Sequence, residues 1–414
     1  MKVAVVGAGS TYTPELVSGL SRERLRIEID ELALHDVDAE RLSVVGGLAG
    51  RMLAAQGFDG ALELTDELDS ALDGASFVLI QIRVGGQQAR LADETVPLAC
   101  GCIGQETTGA GGLAKAMRTV PVVLSIAERV RERAAPGAWI VDFTNPVGIV
   151  MRALLDSGHR AVGLCNVAIG LQRLIGRLVG VESERVVVDQ VGLNHLTWVR
   201  AVLVDGDDVL PELLEEHGGE LAEHVELPRH LLEELRAIPS YYLRYFYAHD
   251  QVLAEQREGV PRAATVAEIE RELLKLYRDP ALAEKPALLE RRGGAFYSEA
   301  AVGLVDSLVA GAGEVHVVDV HNDGTLEGLA ADDVVEVPAR VFSGRIEPLP
   351  QRSLAPELLG LVQHVAAYER LAAKAGATGD AALARKALLA HPIVGQWELA
   401  DELVERLLGT EVRA

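Results

Sequence analysis

The chain has 414 residues, of which 49% are hydrophobic, and a formal net charge of −23 at pH 7. This length favours two domains over one, and so negative a chain argues against nucleic acid or an anionic membrane as a partner. No apolar run approaches the roughly 20 residues that cross a bilayer, no signal peptide precedes the first strand, and three cysteines are too few for a disulfide framework. We therefore expect a cytoplasmic protein with free thiols.

The N-terminal third alternates short apolar runs with amphipathic stretches, which predicts βαβ units around a buried parallel sheet. The apolar runs are KVAVVG (2–7), ELALHD (31–36), LELT (62–65), FVLIQI (77–82), AWIVDF (138–143) and RAVGLC (160–165). Beyond them, RVVVDQVGLN and TWVRAVLVDG are typical of an antiparallel pair, and helical stretches follow. We predict an α/β fold with a Rossmann-type doubly wound parallel sheet over residues 1–166 and a second, α+β domain over 167–414.

The first chemical signal follows the first strand, in VVGAGSTYTPELVSGL. Gly7 and Gly9 form a Gly-x-Gly turn that lets backbone N–H groups approach a pyrophosphate, which the next helix N-terminus also favours. Thr13 and Pro14 are typical of that helix start. Asp36, at the end of the second strand, can accept hydrogen bonds from an adenosine ribose, which favours NAD over NADP. A tight turn without a ligand is the alternative.

Two further groups follow strands of the predicted sheet, at the edge where doubly wound folds bind ligands. The glycine-rich stretch IRVGGQQARLADETVPLACGCIGQETTGAGG carries Arg83 and Arg90, whose guanidinium groups suit bidentate binding of phosphate or carboxylate. Asn145, in VDFTNPVGIV, can hydrogen-bond a sugar hydroxyl or the nicotinamide ribose. The plainer interpretations are surface charges for the arginines and simple turn chemistry for Asn-Pro.

Cys165, with Asn166 after it, ends the sixth predicted strand at the same edge, and His195 follows inside the β-like run QVGLNHLTWV. Singly, such a cysteine is usually a small buried hydrophobe and such a histidine a satisfied core residue. Together they are one soft and one borderline ligand, suited to an ion that leaves positions for water or substrate. A Cys–His nucleophilic pair is the alternative.

Taken in order, these motifs resemble glycoside hydrolase family 4, in particular its 6-phospho-β-glucosidases. The motifs are GAGSTYTPEL, IRVGG with a downstream arginine, GQETTGAGG, TNPVGIV, GLCNVAIG and GLNHLTW, and they span most of the chain. Members carry a Ser-Thr-Tyr turn in the dinucleotide loop, which here is Ser10, Thr11 and Tyr12. The resemblance implies an NAD- and divalent-metal-dependent glycosidase, an exception to the two-carboxylate rule.

The resemblance also implies a mechanism. NAD takes hydride from C3 of the sugar. A divalent metal, typically Mn²⁺, is held by Cys165 and His195 and stabilises the negative charge that forms on the sugar when the C2 proton is removed. A tyrosine removes the C2 proton, the aglycone is eliminated, water adds and the hydride returns. The tyrosine lies in IPSYYLRYFYAHD, where the family's Tyr-Leu pattern selects Tyr242 and a one-residue shift would select Tyr241. Without the resemblance, this stretch is typical of an aromatic helix face.

The remaining implications concern the substrate. Asn166 follows the metal-binding cysteine, as in β-acting members, and is expected to contact the substrate at the reacting atoms. Arg90, and after it Arg83, would bind the 6-phosphate, and Asn145 would contact the substrate. Ala99 stands where the resemblance predicts a basic residue, which leaves an unphosphorylated glycoside open. An α-linked glycoside is a further alternative. A homodimer or homotetramer is also implied.

Two other classes of protein stay open. An NAD-dependent 2-hydroxy-acid dehydrogenase of the lactate or malate type has the same two-domain plan, but it uses a catalytic histidine with an acidic partner instead of a metal-binding cysteine. Net production of NADH with a hydroxy acid would support it. A non-catalytic nucleotide sensor would bind NAD without turnover.

Overall fold

The computed structural model describes residues 1–20, 27–293 and 296–409, and its N-terminal part is built around a parallel sheet. The parallel strands are β1 (Lys2–Val6), β2 (Glu31–His35), β3 (Ala61–Thr65), β4 (Phe77–Ile80), β5 (Trp139–Asp142) and β6 (Ala161–Gly163). Their order is β3-β2-β1-β4-β5-β6, so the winding reverses between β1 and β4. The predicted Rossmann-type sheet is confirmed.

Helices connect and flank these strands. They are α1 (Thr13–Leu20), α2 (Ala39–Ala55), α3 (Leu68–Leu72), α4 (Gly86–Ala99), α5 (Gly109–Arg133), α6 (Val147–Asp156) and α7 (Asn166–Val179). Asp38 caps α2 by accepting a hydrogen bond from the backbone N–H of Arg41 at 3.0 Å. Helix α1 begins at Thr13, as predicted, but the Thr13 hydroxyl donates to the carbonyl of Ala8 at 2.9 Å instead of capping the helix.

The sheet continues from β6 into antiparallel strands of the second half. These are β7 (Val186–Leu193), β8 (Leu196–Val204), β9 (Asp207–Asp208), β10 (Ile238–Pro239), β11 (Ala312–His321), β12 (Val334–Phe342) and β13 (Arg345–Pro348). The order from β6 is β11-β12-β7-β8-β10, with β13 on β12 and β9 on β8. The predicted antiparallel pair is confirmed as β7 and β8. Because β6 pairs with β11, the two predicted domains share one sheet, and the boundary at 166 stays a prediction.

Further helices cover the second half. They are α8 (Leu210–Val225), α9 (Arg229–Leu235), α10 (Arg244–Tyr247), α11 (His249–Glu258), α12 (Arg262–Tyr277), α13 (Tyr297–Ala310), α14 (Pro356–Thr378), α15 (Ala381–Ala390) and α16 (Trp397–Leu408), with 3-10 turns at Ser183–Arg185, Tyr241–Leu243 and Ala287–Arg292. The long helix α14 packs across α5 and α6. In the part of the chain that the structure describes, every helix is too short or too polar to cross a membrane.

The buried core of the parallel sheet fixes the strands, and so the starting points of the loops at its carboxyl edge. Val3, Val5 and Leu79 are fully buried in the core on one face of the sheet, and Ala4 and Val78 in the core on the other, as a parallel sheet covered on both faces requires. The loops that follow β1, β4, β5 and β6 all emerge at this edge, and the β1 and β4 loops flank the reversal of strand order. Ligands of doubly wound folds bind at that position, so the fold predicts a ligand site there.

Candidate active site

A cavity of about 1460 Å³ opens at the carboxyl edge of the parallel strands. Its wall comes from the loops after β1, β2, β4 and β5, from the start of α7, and from residues of α12 in the second half of the chain. The lining includes these residues that were singled out from the sequence: Gly7, Gly9, Ser10, Asp36, Arg83, Arg90, Asn145, Asn166 and Tyr242. Thr11, Cys165 and His195 are buried beside it.

Both glycines of the first turn are required by their surroundings. Gly7 has a φ of +93°, and a Cβ atom there would lie 2.8 Å from the carbonyl oxygen of Gln81 in the loop after β4. A Cβ atom at Gly9 would lie 2.8 Å from the carboxyl group of Asp36. Real Cβ atoms do not approach other atoms so closely, so the turn keeps its backbone exposed to the cavity only with glycine at both positions.

Asp36 is held in place at the end of β2 by the same turn. Its carboxylate accepts hydrogen bonds from the backbone N–H groups of Gly9 at 2.7 Å and of Asp38 at 2.9 Å. Arg41 donates from Nε to the carbonyl oxygen of Gly9 at 3.1 Å, which closes the ring of contacts. The carboxylate borders the cavity, where it can accept from a ribose and would repel a 2′-phosphate.

The second half of the chain reaches this turn through Glu270, a residue that the sequence did not single out. Glu270 of α12 accepts hydrogen bonds from the hydroxyl of Thr11 at 3.4 Å, from Gln87 at 3.2 Å and from Arg292 at 3.0 Å. Ser10 borders the cavity, whereas the side chain of Thr11 is fully buried. Thr11 therefore ties the dinucleotide loop to α12 and does not face the cavity.

A buried charge cluster surrounds Glu106, in the loop that precedes α5. Lys115 lies 2.6 Å from its carboxylate, Arg90 lies 3.1 Å from it, and Arg83 is ion-paired with it. Arg90 also contacts Glu94 at 2.8 Å. Three cations thus face two carboxylates, and the excess of one positive charge lies at the cavity wall, as binding an anionic group requires.

Burial and the neighbouring charges together set the pKa values of Glu106 and Lys115 in this cluster. Burial alone would raise the pKa of Glu106, but the charges of Arg83, Lys115 and Arg90 outweigh burial and hold that pKa well below its usual range. Burial, reinforced by the neighbouring Arg83, lowers the pKa of Lys115 to about 8. At pH 7 the glutamate is therefore ionised and the lysine is still mostly protonated.

Two asparagines follow β5 and β6 and border the cavity. The side-chain oxygen of Asn145 is buried and accepts no hydrogen bond from the residues that the structure describes. Since buried polar atoms are nearly always hydrogen-bonded, this acceptor fits a hydroxyl donor from a ligand. Asn166 is the first residue of α7, so its side chain lies at the mouth of the same strand edge.

Cys165 precedes Asn166 at the start of α7 and is 5% exposed. Burial, together with the charge of Glu336, raises the pKa of its thiol well above the usual value. The thiol is therefore protonated without a bound cation, and a metal ion would have to displace the proton to bind the sulfur. The three cysteines are free.

His195 lies in the turn between β7 and β8, and not inside a strand as its apolar flanks predicted. Its φ of 63° is in the left-handed region, which a non-glycine residue adopts at some cost. The ring is buried, its Nδ1 lies 3.0 Å from the hydroxyl of Thr107, and burial together with the charge of Lys115 lowers its pKa to about 3. The imidazole is thus neutral, as a metal ligand must be.

Tyr242 packs on this histidine. The two rings are stacked with centroids 3.7 Å apart and planes 11° from parallel. The contact depends on strand pairing: β10 pairs with β8, and the N–H of Ser240 donates to the carbonyl of Thr197 at 2.8 Å, just beyond the His195 turn. Burial, followed by interaction with Cys165, raises the pKa of Tyr242 well above its usual value. The Cys165 side chain also interacts with that of Asn194, the residue before His195, so Cys165 lies near the stacked pair.

Tyr241 points elsewhere. Its hydroxyl accepts a hydrogen bond from Arg244 at 2.9 Å, and Arg244 is also paired with Glu255 at 2.6 Å. The residues that line the cavity include Tyr242 but not Tyr241. The segment is a 3-10 turn (Tyr241–Leu243) followed by the short helix α10 (Arg244–Tyr247).

The thiol and imidazole fit a metal with open positions better than a closed metal site. Among the residues that the structure describes, no group of three or more histidine, cysteine or acidic side chains could hold an ion. Cys165 and His195 could supply two protein ligands, which would leave the remaining positions to water or substrate oxygens.

Sequence reasoning missed several residues at this site: Gln105, Glu106, Thr107, Lys115, Glu270 and Arg292. Gln105, Glu106 and Thr107 lie in the quoted motif GQETTGAGG, where a glutamate among glycines in a loop at the ligand edge was an available signal. Lys115 follows on α5 and is typical of a solvated helix residue by sequence alone. Glu270 and Arg292 lie far along the chain, and only the folded structure brings them to the dinucleotide loop.

Comparisons with known proteins assign the chain. The family model described as family 4 glycosyl hydrolase matches residues 2–181, and that of the family 4 glycosyl hydrolase C-terminal domain matches residues 190–394. The 6-phospho-beta-glucosidase BglT of Thermotoga maritima is 36% identical, over 99% of this chain and 98% of its own. The 6-phospho-beta-glucosidase of Escherichia coli K12 is 34% identical, over 99% and 94%. The phospho-alpha-glucosidase PagL of Clostridium acetobutylicum is 28% identical, over 98% and 96%.

Solved structures agree. A structure of the Thermotoga maritima 6-phospho-beta glucosidase with manganese, NAD⁺ and glucose-6-phosphate has a TM-score of 0.92 and 34% identity, and the match covers 100% of this chain and 98% of that one. A malate dehydrogenase from Plasmodium falciparum has a TM-score of 0.55 at 14% identity, over 91% and 98%, and shares the fold alone. The expected dehydrogenase-like plan is thus confirmed. This chain belongs to family 4 of the glycosyl hydrolases.

Proposed function

We propose that the chain hydrolyses 6-phospho-β-glucosides with NAD and a divalent metal, Mn²⁺ by preference. The observation that carries the proposal is the meeting of Cys165, His195 and Tyr242 beside the cavity that the glycine turn borders. A hydride acceptor, a Lewis acid and a base would then act on one sugar ring. The family relatives that act on phosphorylated glucosides support the same reaction.

Each cofactor supplies one part of the chemistry. NAD, held by Gly7, Gly9, Ser10 and Asp36, would take hydride from C3 of the sugar and return it at the end. The metal, held by Cys165 and His195, would act as a Lewis acid on the neighbouring sugar oxygens.

The chain's own residues do the rest. Tyr242 removes the proton from C2, which requires its phenol to be ionised; burial opposes this, so a cation nearby must lower the pKa. Asn145 and Asn166 orient the sugar, since a carboxamide both donates to and accepts from hydroxyl groups. The cluster of Arg83, Arg90 and Lys115 holds the anionic end of the substrate.

Asn166 supports a β-linked substrate. A neutral carboxamide cannot protonate a leaving group. The α-acting members that this chain resembles generally have an aspartate at this position, which can serve as the acid. The aglycone therefore leaves from C1 without an acid from this residue. The greater similarity of the chain to the β-glucosidases than to the α-glucosidase among the relatives described above points the same way.

The charge cluster supports a phosphorylated substrate. Ala99 is the last residue of α4 and supplies no cation, but the excess positive charge of the Glu106 cluster lies at the cavity wall. A phosphate dianion there would gain charge-assisted hydrogen bonds that a neutral hydroxymethyl group cannot make.

The test is hydrolysis in deuterated water. With NAD, Mn²⁺ and reductant, a chromogenic β-glucoside 6-phosphate should be cleaved faster than its unphosphorylated counterpart, and the sugar product should carry deuterium at C2. A product without deuterium would overturn the elimination mechanism, and activity that is indifferent to a chelator would remove the metal. Accumulation of NADH with a hydroxy acid would instead indicate a dehydrogenase.

Replacement of Cys165 by serine distinguishes metal binding from NAD binding. We expect Cys165→Ser to lower Mn²⁺ affinity by at least about 10- to 100-fold, the loss typical even for a residue that only supports a ligand, and to abolish turnover with NAD binding unchanged. Serine is favoured at the start of a helix, so α7 should keep its stability. Calorimetric titration of Mn²⁺ and NAD measures both affinities, with the half-buried Cys100→Ser as control. Unchanged Mn²⁺ affinity would contradict the assignment.

We also propose a cytoplasmic homodimer or homotetramer. A reducing compartment suits a catalytic site that depends on the free thiol of Cys165. The oligomer follows from the family resemblance, and light scattering coupled to gel filtration would distinguish it from a monomer.

A further inference from the structure

A chain of hydrogen bonds runs from the GQETTGAGG loop to His195. We propose that Thr107, oriented by Gln105, is a positioning residue that fixes His195 as the Nδ1–H tautomer and leaves Nε2 free to bind the metal. The inference rests on the proposed metal site and adds the residues that determine which nitrogen of its histidine is the ligand.

The first step is the orientation of the Gln105 amide. One atom at the end of this side chain lies within hydrogen-bond distance of both the backbone nitrogen and the hydroxyl of Thr107. A backbone N–H can only donate, so the atom that it contacts must be the amide oxygen and not the NH₂ group. The assignment of the amide therefore follows from the backbone.

The second step is the direction of the Thr107 hydroxyl. The oxygen of Gln105 can only accept, so the hydroxyl lying 2.7 Å away must donate its single proton to that oxygen. Toward His195 the hydroxyl has only lone pairs left. The 3.0 Å contact between Thr107 Oγ1 and His195 Nδ1 is then a bond that Nδ1–H donates. A neutral imidazole carries one proton, so Nε2 keeps its lone pair.

The third step is that the ring cannot easily leave this arrangement. His195 is 6% exposed and is stacked on Tyr242. The loop is fixed two residues after Thr107, where the N–H of Gly109 lies 3.3 Å from Nε2 of His391 and its carbonyl accepts from Tyr368 at 2.8 Å. Both partners of the Thr107–His195 bond are therefore held independently of it.

The hydroxyl of Thr107 has no competing duty at the helix start. The residue that precedes α5 is Thr108, and its side chain makes no capping bond. Partners of this kind fix the tautomer and orientation of metal-binding histidines and raise their basicity. A hydroxyl whose proton is already committed performs this task without adding charge to the site.

Two substitutions at Thr107 test the proposal. Thr107→Val keeps the shape and removes the hydroxyl, whereas Thr107→Ser keeps the hydroxyl. We expect Mn²⁺ affinity, measured by electron paramagnetic resonance, to fall about 10-fold or more in the valine variant and less than about threefold in the serine variant. NAD affinity should be the same in both, which shows that the dinucleotide loop is intact.

The tautomer gives a readout that does not need the metal. In protein labelled with ¹⁵N-histidine, the metal-free wild type should show His195 protonated at Nδ1. Gln105→Met removes the acceptor, so the Thr107 hydroxyl should turn to donate and shift His195 toward the Nε2–H form; this variant also serves if Thr107→Val does not fold.

The outcomes separate the two proposals. An Nε2–H tautomer in the wild type, or wild-type Mn²⁺ affinity in Thr107→Val, would overturn the role of Thr107. A wild type that binds no Mn²⁺ would instead overturn the metal site of the proposed function, and the nitrogen shifts would still decide whether Thr107 fixes the tautomer.

Discussion

Tyr242→Phe is expected to lower kcat for a 6-phospho-β-glucoside by about 10³-fold, within the range that a positioned general base contributes. The phenylalanine ring can keep the stack on His195, whose centroid lies 3.7 Å away, so folding and metal binding should persist. The loss would come from the missing hydroxyl alone. Steady-state kinetics at saturating NAD and Mn²⁺ measures it, and KM should change little.

The neighbouring tyrosine is the matched control. Tyr241→Phe removes a hydroxyl whose partner is Arg244, away from the cavity, and should leave kcat within about threefold of the wild type because no contact with the reacting atoms is lost. An inactive Tyr241→Phe together with an active Tyr242→Phe would show that Tyr241 is the base.

Glu106→Gln is expected to destabilise the protein by about 3 kcal/mol at pH 7, the lower end of what breaking a buried ion pair costs. The substitution leaves Lys115, with a side chain only 4% exposed, beside Arg83 and Arg90 without the carboxylate between them. Urea unfolding at fixed protein concentration measures the change. Asp205→Asn, which removes the exposed pair between Arg185 and Asp205, should change the urea midpoint far less, because solvent screens an exposed ion pair.

The same variant has a pH signature. The folded state holds the pKa of Glu106 well below its usual range, so its contribution is fully present above the unfolded pKa of about 4.3 and is lost as the pH falls through the folded pKa. The stability difference between wild type and Glu106→Gln should therefore shrink as the pH falls into the acid range. A difference that grew in acid would contradict the cluster.

Much of the parallel half was predictable because buried parallel strands are continuous apolar runs. Loops at their carboxyl ends share one edge, so Gly7, Asp36, Asn145 and Asn166 could be placed near one another from strand order alone. The family resemblance added the reaction. Neither step needed side-chain contacts.

The rest depended on contacts that no local pattern encodes. Glu106 and Lys115 are charged residues of a loop and a helix, and only packing shows that they are buried against each other. His195 has strand-like flanks, but the turn between β7 and β8 places it in a left-handed conformation. Tyr242 and Tyr241 have different surroundings because β10 pairs with β8 just before them. Strand β10 has only two residues, so the sequence pattern does not reveal this pairing.

The continuous sheet limits how the site can move. The glycine turn leaves β1, and the His195 turn joins β7 to β8, strands that one hydrogen-bonded array links through β4, β5, β6, β11 and β12. Such an array cannot hinge between the two turns without breaking backbone pairs. A hydride that must return to the carbon it left needs the same donor-to-acceptor path twice in each turnover. Any movement that admits the substrate must therefore leave the two turns in register.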